Sequence, residues 1–257
     1  MSSNDGVGKT LMAAFALCIV CSVIVSGAAV LLKPAQEVNK ALDRKRNILA
    51  AAGMLDDSKT IEEQFATIST RVVDLRTGTF STDVDPAKYQ QLKAAKDPAR
   101  SEKLSSDQDV AKIGRREHYA LVYMVEGEAG QYDKVILPIR GYGLWGTLYG
   151  FIALQADGNT VAGLGFYDHK ETPGLGGEVD NPRWKALWPG KQVYRDDEVA
   201  IQLIKGRVDT ASAAALWQVD GLSGATLTSR GVSNLVQFWL GKDGFQAFLS
   251  NLKSGEA

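Results

Sequence analysis

The sequence predicts an α+β protein: an antiparallel sheet with helices, behind a single N-terminal transmembrane helix. Three observations carry this reading. No residue between Thr10 and Leu32 is charged. From Glu117 to Tyr167, apolar and aromatic residues come in short runs separated by turn residues. After Val232 apolar residues return at helical spacing. Strands followed by helices, rather than alternating with them, point to α+β.

The composition excludes several classes. The 257 residues are 45% hydrophobic and 23% charged, ordinary for a globular chain with an anchor. The net charge of −1 gives no general basic field, so no nucleic acid partner is expected. The two cysteines are Cys18 and Cys21, and the two histidines His118 and His169. Such an inventory provides no Cys/His cluster for zinc or an iron–sulfur centre in the body, and no disulfide framework. No metal site is expected.

The chain reads as a short tail (1–10), a transmembrane helix (11–33) and a soluble domain with a helical stalk (34–257). The apolar stretch would span roughly 34 Å at about 1.5 Å per residue, enough for a hydrocarbon core of about 30 Å. It is bracketed by Lys9 and Lys33. Ser26-Gly27-Ala28-Ala29 could serve as a cleavage site, but a secretory apolar core runs to about 7–15 residues, so a retained span is expected. Cys18 and Cys21 read as small packing residues within it. Gly6-Val7-Gly8-Lys9-Thr10 has the look of a phosphate loop, yet Ser3 stands where a glycine is required and no strand precedes it. Pro34–Met54 continues as helix, and a second short helix is expected over Thr60–Ile68.

In the body, strands are expected at Arg71–Leu75, at Tyr119–Val125, at Lys134–Ile139, at Thr147–Gln155 and at Val161–Tyr167. The last two are joined by the hairpin signal Asp157-Gly158-Asn159. Further strands are expected at Glu198–Ile204 and Ala215–Val219. Helices are expected at Ala87–Lys96, Pro182–Leu187, Val232–Leu240 and Gly244–Leu252.

Three stretches carry candidate chemistry. Gly141-Tyr142-Gly143-Leu144-Trp145-Gly146 matches G-x-G-x-x-G, but a strand follows it where a dinucleotide-binding unit needs a helix. What remains is a glycine turn presenting aromatic and apolar groups. His169-Lys170-Glu171-Thr172-Pro173-Gly174-Leu175-Gly176 combines turn residues with donors and acceptors. Asp220-Gly221-Leu222-Ser223-Gly224-Ala225-Thr226-Leu227-Thr228-Ser229 leads from a strand into a helix through small and hydroxyl residues. Free N–H groups and the positive end of a helix dipole there suit a phosphate, although Ser and Thr serve equally as helix caps. A hydrolase built on Ser223 and His169 lacks the G-x-S-x-G elbow.

Taken together, Gly141–Trp145, His169–Gly176 and Asp220–Thr226 behind one N-terminal span resemble the FMN-binding domain family. Within it they look like the anchored flavin subunits of sodium-translocating NADH:quinone oxidoreductases. The G subunit of the related electron-transport complex shares the Ser/Thr-Gly-Ala-Thr motif. The resemblance implies FMN joined by its phosphate to the hydroxyl of Thr226, an attachment made by a separate flavin transferase. Ser223, Gly224, Ala225, Leu227 and Thr228 would surround that phosphate, with Thr228 or Ser229 as donor or cap. Gly141–Gly146 and Glu171–Gly176 would wall the isoalloxazine, with Tyr142, Leu144, Trp145 and Leu175 on its faces. Thr172 and Lys170 would reach its polar edge. It also implies an electron relay in a six-subunit membrane complex that carries electrons from NADH to ubiquinone and pumps sodium. The expected partners are the complex's second flavin carrier (its B subunit), its membrane-embedded D and E subunits, and membrane lipid. One span without charge cannot form an ion path alone. A cofactor-free, membrane-anchored assembly module is the alternative.

Orientation is contested. Lys33, Lys40, Arg44, Lys45 and Arg46 follow the span, whereas only Lys9 precedes it, which favours a cytoplasmic body. The family resemblance implies a periplasmic one at a bacterial inner membrane. The resemblance is the stronger guide, because one lysine is a weak topogenic signal.

Overall fold

The computed structural model describes residues 6–127 and 131–257. Of the expected ten-residue tail, residues 1–5 lie outside the described residues, and the chain is helical from Val7. Contacts divide the chain into two units, Met1–Arg44 and Lys45–Ala257.

The first unit is the greater part of helix α1, Val7–Ala51, which runs on through Pro34. Its side chains from Leu11 to Leu32 are exposed, as a helix requires if lipid is to solvate it. Among the described residues it is the one helix long and apolar enough to cross a membrane. Cys18 and Cys21 are both exposed on it.

In the second unit, the elements in order are α2 (Ile61–Phe65), β1 (Ile68–Asp74), β2 (Thr79–Phe80), α3 (Gln91–Ala94), β3 (Ser101–Lys103) and β4 (Arg115–Glu117). Next come β5 (Tyr119–Glu126), β6 (Tyr132–Tyr142), β7 (Thr147–Gln155), β8 (Val161–Asp168), α4 (Pro182–Lys185), β9 (Tyr194–Arg195) and β10 (Glu198–Val199). The chain closes with β11 (Gln202–Ile204), β12 (Gln218–Asp220), α5 (Thr226–Leu240) and α6 (Gln246–Ser254). Six strands form one antiparallel sheet in the order β2-β1-β5-β6-β7-β8.

Strand alternation sends successive side chains to opposite faces, and both faces are covered. Ala120, Val122, Leu137, Ile139 and Ile152 face a core with Trp188, Val232, Leu235, Val236, Trp239 and Phe248. Leu121, Tyr123, Ile136, Phe151 and Ala153 face Ile48, Leu49 and Ala51 from the end of α1 and Ala52 just after it. Burial on two sides explains why β5 is apolar at nearly every position rather than at every second one.

Several expectations need correction. The helix expected over Ala87–Lys96 is the single turn α3; Gln90 leaves helical geometry, and the Gln91 side chain is spent on Glu117 and the Leu121 N–H. The strand expected over Glu198–Ile204 is split, because the N–H groups of Ala200 and Ile201 both turn onto the Val193 carbonyl. Residues 215–217, expected as strand, lie in a 3-10 turn capped by Ser212, as the alanine run favours. The last long helix begins at Thr226, not Val232, so Thr226, Thr228 and Ser229 occupy its first turn.

One buried ion pair fixes the end of β6 where the site begins. Arg140 donates to both oxygens of Glu117, at 2.7 and 2.5 Å, and Gln91 donates a further bond to the same carboxylate at 2.6 Å. Burial alone would lower the guanidinium pKa, but the Glu117 carboxylate outweighs it and holds Arg140 charged. The Trp239 indole of α5 donates to the Arg140 carbonyl at 2.7 Å. Glu117→Ala would leave a buried, unpaired cation, and the expected loss is about 3–5 kcal/mol in urea unfolding. A loss under about 1 kcal/mol, the range of an exposed pair, would refute this role.

Candidate functional site

β12 lies parallel to β11 and delivers the chain into α5 through a sharp turn. Gly224 has φ +71°, a conformation that side-chain-bearing residues adopt rarely, and Ala225 stands at the N-cap. Among the described residues no side chain caps the start of α5. The turn is held from within: Ser229 Oγ accepts the Leu222 N–H at 2.9 Å and donates to the Ala225 carbonyl at 3.0 Å. The expectation of Ser229 as helix cap or phosphate donor is therefore not met, since its hydroxyl is buried and committed. Thr228 is likewise committed, its hydroxyl donating to Glu171 Oε2 at 2.5 Å. Thr226 is exposed at the first helical position, and among the described residues its hydroxyl has no partner. The first-turn N–H groups and the helix dipole make this a favourable place for negative charge.

The β6–β7 turn comes directly against this helix. The Gly143 N–H closes onto the Gly146 carbonyl at 2.8 Å. Gly231 of α5 packs on that turn so closely that a Cβ there would stand 2.5 Å from the Tyr142 carbonyl oxygen and 2.9 Å from Gly143 Cα. Leu144 and Trp145 project from the turn and are 38% and 63% exposed. Leu175, 45% exposed, reaches across to within 3.1 Å of where a Gly224 Cβ would lie, and Leu227 is 52% exposed. With Tyr142, these are five of the nine large apolar side chains exposed among the described residues after Lys45. Such clustering marks a binding surface rather than scattered exposure.

The His169–Gly176 segment supplies the opposite side. Glu171, expected in the wall around a ring, is 5% exposed and turns its carboxylate inward. Its Oε1 accepts the N–H groups of Leu144 and Trp145 at 2.9 and 3.0 Å. His169 Nδ1 accepts the Glu171 N–H at 3.2 Å, which leaves Nε2 as the donor to Asp180 at 2.8 Å. His169 thus shapes the turn. Lys170 is exposed, with its stem alongside Gly146. Thr172 and Pro173 are exposed, the Thr172 carbonyl accepts the N–H groups of Leu175 and Gly177, and Gly174 has φ +76°.

On the other flank of Thr226 lies a cleft of about 750 Å³, between the β11–β12 connections and the outer face of α5. Ser223, Gly224, Thr226 and Asn234 line it together with three cations, Lys205, Arg207 and Arg230. Its size suits a small-molecule ligand. Sequence reasoning misses these cations. The available signals are Lys205-Gly206-Arg207 and the placement of Arg230 one turn after Thr226.

Residues 143–241 match the FMN-binding domain family. The C subunit of the Na(+)-translocating NADH-quinone reductase from Pseudomonas aeruginosa is 57% identical over the whole of both chains. The chain belongs to the family of C subunits of Na(+)-translocating NADH-quinone reductases. The C subunit from Yersinia pestis is 47% identical over 98% of this chain and 96% of its own. The crystal structure of NqrC from Shewanella oneidensis superposes with a TM-score of 0.77 at 35% identity, covering 84% of this chain and 99% of that one. Membership removes the electron-transport complex as an alternative assignment.

The matched region includes Gly143–Gly146, Glu171, Thr226 and Gly231. Gly231→Ala must force α5 from the turn, at an expected cost of about 1–3 kcal/mol in urea unfolding. An unchanged midpoint would show that the contact is not tight.

Proposed function

We propose that this chain carries FMN as a phosphoester on Thr226 and relays electrons within a sodium-pumping NADH:ubiquinone oxidoreductase. The observation that carries the reading is the position of one hydroxyl. Thr226 is exposed and uncapped, at the start of a 15-residue helix, where an apolar rim meets a basic cleft. The residues present fit the group. The first-turn N–H groups of α5 with Lys205, Arg207 and Arg230 would hold the charge left on the phosphodiester. Leu144, Trp145, Leu175 and Leu227 would lie against the isoalloxazine, which supplies the electron-carrying chemistry. A covalent tether permits an exposed ring, as an electron carrier needs if its partners are to come close.

The rest of the reading follows the family. The partners are the other members of a six-subunit complex, above all the second flavin carrier (the B subunit) and the membrane-embedded D and E subunits, with a flavin transferase for maturation. The helix within Val7–Ala51 anchors the chain in the inner membrane, with the body on the periplasmic side. This chain neither binds NADH nor conducts sodium alone.

Two outcomes test the reading. Protein co-expressed with its flavin transferase should show in-gel flavin fluorescence after denaturation. Thr226→Ala should abolish it, while Thr228→Ser, which retains the hydroxyl that Glu171 needs, should keep it. Fluorescence surviving Thr226→Ala would place the bond elsewhere, and none in the parent would favour the cofactor-free module. For topology, a C-terminal alkaline phosphatase fusion should be active. An inactive fusion alongside a fluorescent cytoplasmic reporter would restore the orientation that the flanking charges favour.

A further inference from the structure

We infer that Glu171 is a positioning residue, fixing the wall that carries Leu144 and Trp145 relative to the helix that carries Thr226. Its carboxylate is buried, and no ion pair joins it to a cation among the described residues. A buried carboxylate without a cation is costly unless hydrogen bonds compensate. Here three donors do so: the Leu144 and Trp145 N–H groups on Oε1, and the Thr228 hydroxyl on Oε2. One side chain therefore ties the β6–β7 turn to the first turn of α5, two residues from Thr226. The surroundings are shaped to admit it. A Cβ on Gly143 would stand 2.5 Å from Oε1, and one on Gly176 would stand 2.5 Å from Oε2.

The need for such a tie follows from exposure. At 38% and 63% exposed, Leu144 and Trp145 have little packing of their own to hold them. Their backbone N–H groups are the handles by which the turn is fixed, and charge-assisted bonds hold those handles firmly. Without the carboxylate both amides are freed, and the wall can move independently of α5. A glutamine can replace the function. Its amide oxygen accepts both N–H groups, and its NH2 donates to Thr228 Oγ, which can also accept.

The inference rests on the flavin reading for one of its two measurements only. The first is amide hydrogen exchange in the flavin-free chain. Glu171→Ala should raise exchange at Leu144 and Trp145 at least tenfold, with β5–β7 amides unchanged, and Glu171→Gln should restore it to within about threefold. The second uses the flavin-loaded chain. Glu171→Ala should keep the covalent flavin after denaturation yet lose at least half of its visible circular dichroism, and Glu171→Gln should recover it. Should Glu171→Ala fail to fold, Thr228→Val removes one of the three bonds and should raise exchange at the same two amides by about threefold. Unchanged exchange and dichroism in the tested variant would overturn the inference. So would loosening spread evenly over the sheet that Glu171→Gln does not rescue. Absence of flavin from the denatured parent would count against the flavin reading alone, since the exchange measurement stands without it.

Discussion

The second turn of α5 and the end of β6 with the turn that follows it lie close enough for backbone to rest on backbone, with Gly231 against Tyr142 and Gly143. Much of the surrounding structure serves this approach. The Trp239 indole, further along α5, holds the Arg140 carbonyl at the end of β6, and Arg140 is itself fixed by Glu117. The Glu171 carboxylate closes the same gap from the opposite side. Glycine is the residue that lets a helix come this near to a turn, and hydrogen bonds to buried charges keep it there. The outcome is a rigid floor beneath side chains that are themselves largely exposed.

That arrangement separates two tasks around one hydroxyl. On one flank of Thr226 the surface is apolar and presents Leu144, Trp145, Leu175 and Leu227; on the other it is a cleft with Lys205, Arg207 and Arg230. A ligand with a flat ring at one end and a phosphate at the other has use for both. The chain's net charge of −1 conceals this local excess of cations, so bulk composition says nothing of it.

Much of this is legible in the sequence, and the misses share a cause. β7 is legible to the residue, because Gln155 is followed by the turn signal Asp157-Gly158-Asn159. The long apolar helix is plain from length and lack of charge. β6 reads short, since Gly141 looks like the start of a loop although it pairs with Leu148. The start of α5 reads late, because periodicity begins at Val232 while the first turn consists of small and hydroxyl residues. Glu171 reads as a ligand-facing residue; its inward course depends on how two distant turns pack. Lys205 and Arg207 reach the site through the parallel pairing of β11 with β12, which no local pattern announces.

The claim on which the functional account rests is a bond to one oxygen. Trypsin should release Val208–Arg230 as one peptide, with hydroxyls at Thr210, Ser212, Ser223, Thr226, Thr228 and Ser229. Fragmentation of this peptide from transferase-treated protein should place the mass of one FMN less one water on Thr226 alone. The same mass found on any other hydroxyl, or an unmodified peptide from fully treated protein, would contradict the account.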